Sequence, residues 1–367
     1  MISSNKETVL VTGSSGLIGT EVCNRLGDRF NVVGFDRAGP PEPPPTAECV
    51  CVDLTSDQSV HTGMERVRFA YGERIASVIH LAAYYDFSGE PSEKYETITV
   101  QGTERLLREL QSFQVEQFVF SSTMLVHAPC EPGQRINEDW PIEPKWDYPK
   151  SKVETEKLIW HKRGKIPVVL LRIAGVYDDH AHSIPLAHQI QRIYERRMTS
   201  KVFPGDTSRG QSFVHLEDLV DAIERAVERR RQVPADLTLL IGEPETLNYE
   251  KLQQRFGWLI HHEAWETNHI PKPLAKTGAW LQDVIPGEDP FIKPWMVDLA
   301  DDHYALDISR AQEVLGWQPR HSLRDTLPKM VEALKRDPKK FYKQNKLGEP
   351  PKHVEEHEHA TAAKETS

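Results

Sequence analysis

The sequence predicts an α/β fold in which helices cover both faces of a doubly wound parallel sheet, with a smaller lobe at the C-terminal end. Three observations support this fold class. A glycine-rich turn at residues 13–19 lies between an apolar strand and an apolar helix. Up to Ile173, six apolar strands alternate with segments of helical periodicity, the pattern of a parallel sheet. The length of 367 residues is enough for such a sheet and an appended lobe.

The glycine-rich turn predicts a phosphate-binding loop. Residues 8–12 form a short buried strand, and the three glycines that follow have the spacing G-x-x-G-x-x-G. Glycine permits a positive φ and a close approach of the backbone to a ligand. The N–H groups and the dipole at the start of the next helix then face an anion. The second strand, residues 31–35, leads into Asp36, 17 residues after Gly19, where a dinucleotide-binding fold places the acceptor for a ribose 2′-hydroxyl.

Composition and charge argue against several classes of partner. The net charge of −10 and the pI of about 5.9 argue against a nucleic acid as the main partner. No apolar run is long enough to span a membrane, and the first residues are too polar for a signal peptide. The cysteines show no metal-binding or redox spacing, so we expect a cytoplasmic protein with reduced core thiols at Cys23, Cys49, Cys51 and Cys130.

The other strands are predicted to end in polar or small residues at one edge of the sheet, where folds of this class bind their ligands. These strands are residues 48–52, 77–83, 116–120 and 167–173. The crossover helices are residues 58–71, 94–112 and 149–163. Asp53 follows the third strand and Thr123 follows the fifth, so both side chains are expected to face one crevice.

The strand–helix alternation loosens beyond Gly175. We assign residues 1–175 to the dinucleotide-binding domain and residues 176–336 to a mixed segment that partly returns to the sheet and mainly forms the lobe. Helices are expected at residues 215–229, 249–260, 274–284, 309–317 and 323–336, and a strand at residues 237–241. Lobe core and pocket wall are expected at Trp258, Trp265, Trp280 and Trp295. The charged residues 337–367 are expected to be disordered.

Tyr148 and Lys152 predict acid–base chemistry at the edge of the sheet. Residues four apart on a helix lie on one face. A phenol is too weak an acid to react near neutral pH, but a nearby ammonium group lowers its pKa, so Tyr148 is expected to exchange a proton with a substrate oxygen. Lys152 is expected to bind the nicotinamide ribose as well, and Thr123, 25 residues before Tyr148, to hydrogen-bond to the same substrate oxygen. The alternative is a surface pair that has this spacing by chance.

Together these motifs resemble the extended short-chain dehydrogenase/reductase family, the NAD-dependent epimerase/dehydratase group with a Rossmann-type sheet. The resemblance covers residues 8–336 and rests on TGSSGLIG at 12–19, Asp36, Asp53-Leu54, HLAA at 80–83, SST at 121–123, YPKSK at 148–152, LRIAGVY at 171–177, FVHLEDL at 213–219 and LGW at 315–317. It implies that hydride passes between a nicotinamide and a carbinol or carbonyl carbon, with Thr123, Tyr148 and Lys152 as the active site.

The same resemblance implies the cofactor contacts. Asp53 and Leu54 would contact adenine, and Asp36 implies NAD, because a carboxylate repels the 2′-phosphate of NADP. Arg37 beside it leaves use of NADP open. The predicted contacts are Gly13, Ser15, Gly16, Leu17, Ile18, Gly19, Asp36, Arg37, Asp53, Leu54, Leu81, Ala82, Ala83, Ser121, Tyr148 and Lys152.

Departures from the family pattern bear on the reaction. Met124-Leu125 stand where sugar 4,6-dehydratases carry an Asp-Glu pair, so no acid/base pair is available to eliminate water. Nucleotide-sugar epimerases usually carry an asparagine where this chain has Ile173-Ala174. They also carry an arginine for the diphosphate where this chain has Gln211, although Arg209 is close enough to substitute.

The segment at residues 83–87 is more similar to hydroxysteroid dehydrogenases and dihydroflavonol reductases. Tyr84, Tyr85 and Phe87 are therefore expected to line a pocket for an apolar or cyclic alcohol. We expect an NAD-dependent oxidoreductase for a secondary alcohol or ketone of a small or lipophilic molecule. The alternatives are a nucleotide-sugar epimerase that retains its NAD, and a non-catalytic dinucleotide sensor.

Two further expectations concern partners. The resemblance implies a homodimer formed through the helices at 94–112 and 149–163. The run Asp178-Asp179-His180-Ala181-His182 contains metal-ligand side chains, but the family chemistry needs no metal, so we predict none.

Overall fold

The computed structural model describes residues 6–39, 47–86, 89–276 and 294–351. The strands, in chain order, are β1 Thr8–Thr12, β2 Asn31–Asp36, β3 Ala47–Cys51, β4 Arg74–Ile75, β5 Ser77–His80, β6 Gln114–Val115, β7 Phe118–Thr123, β8 Val168–Ile173, β9 Gly175–Tyr177, β10 Val202–Phe203, β11 Phe213–His215, β12 Asp236–Ile241 and β13 Asn268–His269. The helices are α1 Leu17–Leu26, α2 Asp57–Tyr71, α3 Gln101–Leu110, α4 Asp147–Lys162, α5 Ile184–Tyr194, α6 Leu216–Glu228, α7 Tyr249–His261, α8 Lys272–Lys276, α9 Pro294–Asp298, α10 Ser309–Leu315, α11 Leu323–Arg336 and α12 Pro338–Asn345.

Seven of these strands form a parallel sheet in the order β12-β8-β7-β5-β1-β2-β3. The chain runs from β1 toward β3 on one side and from β5 toward β12 on the other. The carboxyl ends of β1 and β5 therefore flank the crevice where the strand order reverses, which is the ligand position in doubly wound folds. The predicted fold class is confirmed.

Local sequence explains most element boundaries. Every residue of β1 is buried, as expected for a central strand that is covered on both faces. The side chain of Ser56 caps α2 by accepting the N–H of Ser59, and Gly72 ends the helix with φ 83°. The helix predicted at 94–112 divides into a π-helical turn, Tyr95–Val100, and α3.

Apolar side chains pack on both faces of the sheet and in a separate lobe. One face is covered by α2, α3 and α4, with Leu107 and Ile159 buried, and the other by α1, α6 and α10, with Ile223 buried. The lobe core joins α5, α7, α11 and α12, where Ile190 and Phe256 are fully buried. The lobe thus has its own core beside the crevice.

The structure corrects the prediction of disorder from residue 337. Residues 338–345 form α12, and Phe341 and Tyr342 on this helix are buried in the lobe core. The Tyr342 hydroxyl donates to Glu195 at 2.8 Å. The many lysines in this segment predicted disorder, but Phe341 and Tyr342 bury the side of the helix that faces the lobe core. Residues 352–367 lie outside the described part of the chain.

Other expectations are also revised. Cys49 and Cys51 are exposed because β3 is an edge strand, whereas Cys23 and Cys130 are buried. Trp265 is buried, but Trp258 is 55% exposed on the outer face of α7. Trp280, the side chain of Trp295 and most of the helix predicted at 274–284 lie outside the described residues. Among the described helices, none is both long enough and apolar enough to cross a bilayer.

Candidate active site

A cavity of about 750 Å³ opens at the carboxyl ends of β1, β5, β7 and β8. The glycine-rich turn forms one end of it, and segments of the lobe form the other. We call these the nucleotide end and the substrate end. The predicted contacts that line the cavity are Gly13, Gly16, Leu17, Ile18, Gly19, Leu81, Ala83, Ser121, Thr123, Tyr148, Lys152, Tyr85, Arg209 and Gln211.

The nucleotide end is shaped by the absence of side chains on two glycines. Gly13 has φ 71°, and a Cβ on it would lie 2.9 Å from the backbone nitrogen of Ala82. A Cβ on Gly19 would lie 2.1 Å from the carbonyl oxygen of Gly13. The backbone therefore packs tightly here, and the start of α1 is open to the cavity, as an anion-binding helix N-terminus requires.

Asp36 is held against the glycine-rich turn. One carboxylate oxygen accepts the N–H of Ser15 at 3.0 Å, and the other accepts the N–H of Arg37 at 2.8 Å. Asp53 accepts both the N–H and the hydroxyl of Thr55, and these hydrogen bonds lower the pKa of Asp53. Both carboxylates stand beside the nucleotide end. The predicted contacts outside the cavity wall are Ser15, Asp36, Arg37, Asp53, Leu54 and Ala82.

The catalytic candidates meet at the middle of the cavity. Lys152 lies one turn after Tyr148 on α4, and its Nζ donates to the Ser121 carbonyl at 2.6 Å. The same Nζ lies 5.7 Å from the centre of the Tyr148 ring. Thr123 ends β7, and its side chain lies beside the Tyr148 phenol, where it acts to lower the phenol pKa. The structure therefore brings the three predicted side chains together.

The charge state of this pair differs from the expectation. Burial raises the pKa of Tyr148, and the hydrogen bond from Thr123 only partly opposes that rise. Burial also lowers the pKa of Lys152 to about 7, although the negative charge of Glu156 acts to raise that pKa. The sequence predicted that Lys152 lowers the pKa of the phenol, whereas burial raises it, and the Lys152 ammonium group directs its hydrogen bond at Ser121 instead.

A buried ionic network joins α4, which carries the candidate residues Tyr148 and Lys152, to the sheet. Glu156 lies one turn after Lys152, and its carboxylate accepts from Arg172 at 2.7 and 3.1 Å and from the Ser122 hydroxyl at 2.5 Å. Arg172 also donates to His127 and to the Glu138 carbonyl, both at 3.1 Å. Because Lys152 holds Ser121 and Glu156 holds Ser122, α4 is fixed to the end of β7.

Aromatic side chains surround Tyr148 on the substrate side. The Tyr85 ring stands edge-to-face against Tyr148 at 4.8 Å, and the Trp146 ring lies 5.5 Å away. Farther out, Phe203 and Tyr249 stack at 3.8 Å. All of these side chains line the cavity. No sequence motif identified Trp146, Phe203 or Tyr249, since they come from separate segments that only the fold brings together.

Two of the predicted substrate contacts, Tyr84 and Arg209, are paired with other residues of the chain. Tyr84 is corrected: it lies outside the cavity wall, with its hydroxyl 3.1 Å from Asp86 and its ring against Tyr95. Phe87 lies outside the described residues. Arg209 lines the cavity, but its guanidinium pairs with Glu131 at 2.8 Å and Asp206 at 3.4 Å. Its charge is therefore already compensated.

A histidine cluster lies near the start of α6. His215 stacks on His321 at 4.1 Å, and Glu217 offers a third metal-ligand side chain. However, His215 Nδ1 accepts the Glu217 N–H at 3.2 Å, which places the proton of the neutral ring on Nε2. Neither ring nitrogen of His215 then has a lone pair for a metal. Asp178 is used in a turn with His182.

Comparison with known proteins places the chain. The model of the NAD dependent epimerase/dehydratase family matches residues 9–242. The chain belongs to this family. It is therefore an NAD-dependent enzyme of the extended short-chain dehydrogenase/reductase type, as the motifs predicted.

The proteins similar to this chain are named for different reactions. A UDP-glucose 4-epimerase of Mycolicibacterium smegmatis is 28% identical over 350 residues, which cover 88% of this chain and 97% of that protein. A decarboxylating sterol-4-alpha-carboxylate 3-dehydrogenase of Candida albicans is 22% identical over 355 residues, which cover 88% and 96%. The solved structure of a Thermotoga maritima UDP-glucose 4-epimerase with UDP-glucose has a TM-score of 0.68 at 20% identity, covering 90% of this chain and 99% of that chain.

Proposed function

We propose that the chain is an NAD-dependent dehydrogenase that oxidises a secondary alcohol, or reduces the matching ketone, of a small or lipophilic substrate. The observation that carries this proposal is the substrate end of the cavity. Its aromatic wall is formed by Tyr85, Trp146, Phe203, Phe213, Tyr249 and Tyr304. A wall of this composition suits an apolar substrate. Sterol dehydrogenases among the relatives support the same substrate class.

The nucleotide end fits NAD. The tight glycine-rich turn and the open start of α1 would hold the diphosphate, and Asp36 would accept the hydroxyls of the adenosine ribose. When bound, NAD supplies the hydride acceptor or donor. Arg37 donates its backbone N–H to Asp36, and no hydrogen bond joins its guanidinium to that carboxylate among the described residues. The carboxylate therefore remains the dominant charge at this position, which favours NAD over NADP.

Tyr148 acts as the general acid/base. In oxidation its phenolate removes the proton of the substrate hydroxyl, and in reduction its phenol returns that proton to the oxygen. Thr123 holds the same oxygen, and Lys152, whose Nζ is anchored to the Ser121 carbonyl, would hold the nicotinamide ribose. Glu156 opposes the loss of charge from the buried Lys152, which keeps the ammonium available.

A nucleotide-sugar epimerase is the second candidate. Two guanidinium groups, Arg192 and Arg209, lie in the cavity wall, and UDP-glucose 4-epimerases are among the relatives. The pairing of Arg209 with Glu131 and Asp206 counts against it, because a diphosphate would compete with two carboxylates already in place.

A substrate panel tests the proposal. Purified protein with NAD is given cyclohexanol, menthol and octan-2-ol, and NADH formation is followed by absorbance. With NADH, the matching ketones are tested in the same way. We expect turnover with at least one pair and no interconversion of UDP-glucose and UDP-galactose. Interconversion of the two UDP-sugars, without NADH formation from any alcohol, would establish the epimerase instead.

A further inference from the structure

A histidine–carboxylate pair faces the cavity from the segment between β9 and α5. His182 Nδ1 lies 2.6 Å from Asp178 Oδ2, and the His182 side chain, 25% exposed, lines the cavity. The proposed oxidoreduction, in which Tyr148, Lys152 and Thr123 act, makes no use of this pair.

Backbone hydrogen bonds fix the Asp178 carboxylate in its position beside the His182 imidazole. Asp178 Oδ1 accepts the N–H of His180 and the N–H of His182, each at 3.0 Å. Ala181 between them is fully buried with φ 59°, a left-handed conformation that costs a residue with a Cβ about 1 kcal/mol. Local strain of this kind clusters at functional sites. The turn holds Asp178 with its second oxygen directed at His182.

This arrangement assigns the imidazole proton. The ionised carboxylate accepts a hydrogen bond from Nδ1–H, so the neutral ring has its lone pair on Nε2. No hydrogen bond joins Nε2 to another residue in the described part of the chain. A carboxylate on Nδ1 also stabilises the imidazolium that forms when Nε2 takes a proton, the arrangement found in histidine general bases.

We propose that His182, oriented by Asp178, is a second acid/base group that exchanges a proton on the carbon next to the substrate carbonyl. The inference rests on the proposed function, because the ketone made by hydride transfer acidifies that carbon. His182 Nε2 takes the proton, the electron pair of the C–H bond becomes the C=C bond of an enol, and Tyr148 gives its proton to the carbonyl oxygen. When His182 returns a proton to the same face, the ketone keeps its configuration; when the enol turns over or leaves before it is protonated on carbon, the inverted ketone forms. The enzyme would therefore also racemise or epimerise its ketone.

Two groups are needed because each serves a different atom. Tyr148 exchanges its proton with the substrate oxygen, on the side of the cavity where Thr123 also lies. The carbon acid needs a base elsewhere on the cavity wall, and His182 supplies one. His180, two residues earlier, is exposed and does not line the cavity.

The test uses menthone, whose carbon next to the carbonyl inverts to give isomenthone through the enol. The full chain with NAD is incubated with menthone in heavy water, and deuterium uptake and isomenthone are measured by chiral gas chromatography with mass detection. NADH oxidation with menthone is measured in parallel. The variants are His182→Gln, Asp178→Asn and, as the matched control, His180→Gln.

We expect wild type and His180→Gln to exchange deuterium at least tenfold above buffer. His182→Gln should lower exchange at least 50-fold while NADH oxidation falls less than fivefold, and Asp178→Asn should lower exchange about tenfold. The relevant magnitude is the ~10²–10⁴-fold contribution of a general base. Exchange that is absent in wild type, or equal in His182→Gln, overturns the inference. NADH oxidation without exchange leaves the proposed function standing, whereas exchange without NADH oxidation contradicts the proposed function.

Discussion

The two ends of the cavity are built in different ways. The nucleotide end comes from one continuous strand–turn–helix unit, residues 8–26, and its ligand-facing groups are mainly backbone N–H groups. The substrate end is assembled from segments far apart in the chain, around residues 85, 146, 182–186, 203–213 and 296–304. The first needs only local sequence, and the second needs the completed fold.

The polar groups show the same difference. Asp36 bonds to backbone within the glycine-rich unit and its own strand end. At the substrate end, Lys145 pairs with Asp302 at 2.6 Å, and Arg209 pairs with Glu131. Charges at the substrate end are therefore compensated by partners that are distant in sequence, and the reaction class depends on that compensation.

The largest expected effect is at the junction of the two ends. Tyr148→Phe should lower kcat about 10²–10⁴-fold, since it removes the general acid/base. NADH affinity, measured by fluorescence titration, should change less than about threefold, because the nucleotide end is intact. Retained turnover would show that another group moves the proton.

The second prediction compares a buried ion pair with an exposed one. Glu156→Ala should lower the free energy of unfolding by about 3–5 kcal/mol, because Arg172 stays buried without its partner. Glu131→Ala at the substrate end should cost less than about 1 kcal/mol, since Glu131 is 68% exposed. Urea titrations measure both values. Equal losses would contradict the view that burial decides how much each ion pair contributes to stability.

The third prediction concerns cofactor choice. Asp36→Ser should weaken NAD binding roughly tenfold or more, because a hydrogen bond to a charged group contributes about 1.5–3 kcal/mol. NADP binding should strengthen in the same variant, as the repulsion of a 2′-phosphate is removed. Calorimetric titration with both dinucleotides gives the two affinities. An unchanged preference for NAD would show that Asp36 does not determine the choice between NAD and NADP.

The fourth prediction uses pH at the nucleotide end. His80 is fully buried between Thr12 and Thr103, and burial lowers its pKa to about 3, below the unfolded value. The unfolded chain binds the proton first, so this contribution to stability is lost as pH falls from about 6.5 toward 3. His80→Asn should therefore reduce the slope of unfolding free energy against pH between pH 6 and 4 by up to about 1.4 kcal/mol per pH unit. Parallel slopes in the two proteins would contradict this assignment.

The extent of prediction from sequence follows the same division. Glycine spacing, strand ends and the Tyr148–Lys152 interval are local, so the fold class and the placement of the candidate catalytic side chains followed from the sequence. The pKa direction of Tyr148 did not, because it depends on burial by the whole fold. Trp146 belongs to no motif, and the sequence indicates Asp178–His182 only as potential metal ligands. The two anchors on α12, Phe341 and Tyr342, were hidden by the lysines around them.

The most direct test of the central claim follows the hydride itself. The protein is incubated with NADH that carries deuterium at the transferred position and with the ketones of the panel, and the released alcohols are analysed by mass spectrometry. The account predicts one deuterium on the carbinol carbon of a released alcohol, with free NAD as the other product. The proposed dehydrogenase activity is contradicted by three results together. No released alcohol contains deuterium, the denatured protein yields nearly one NAD per chain, and the protein converts UDP-glucose to UDP-galactose.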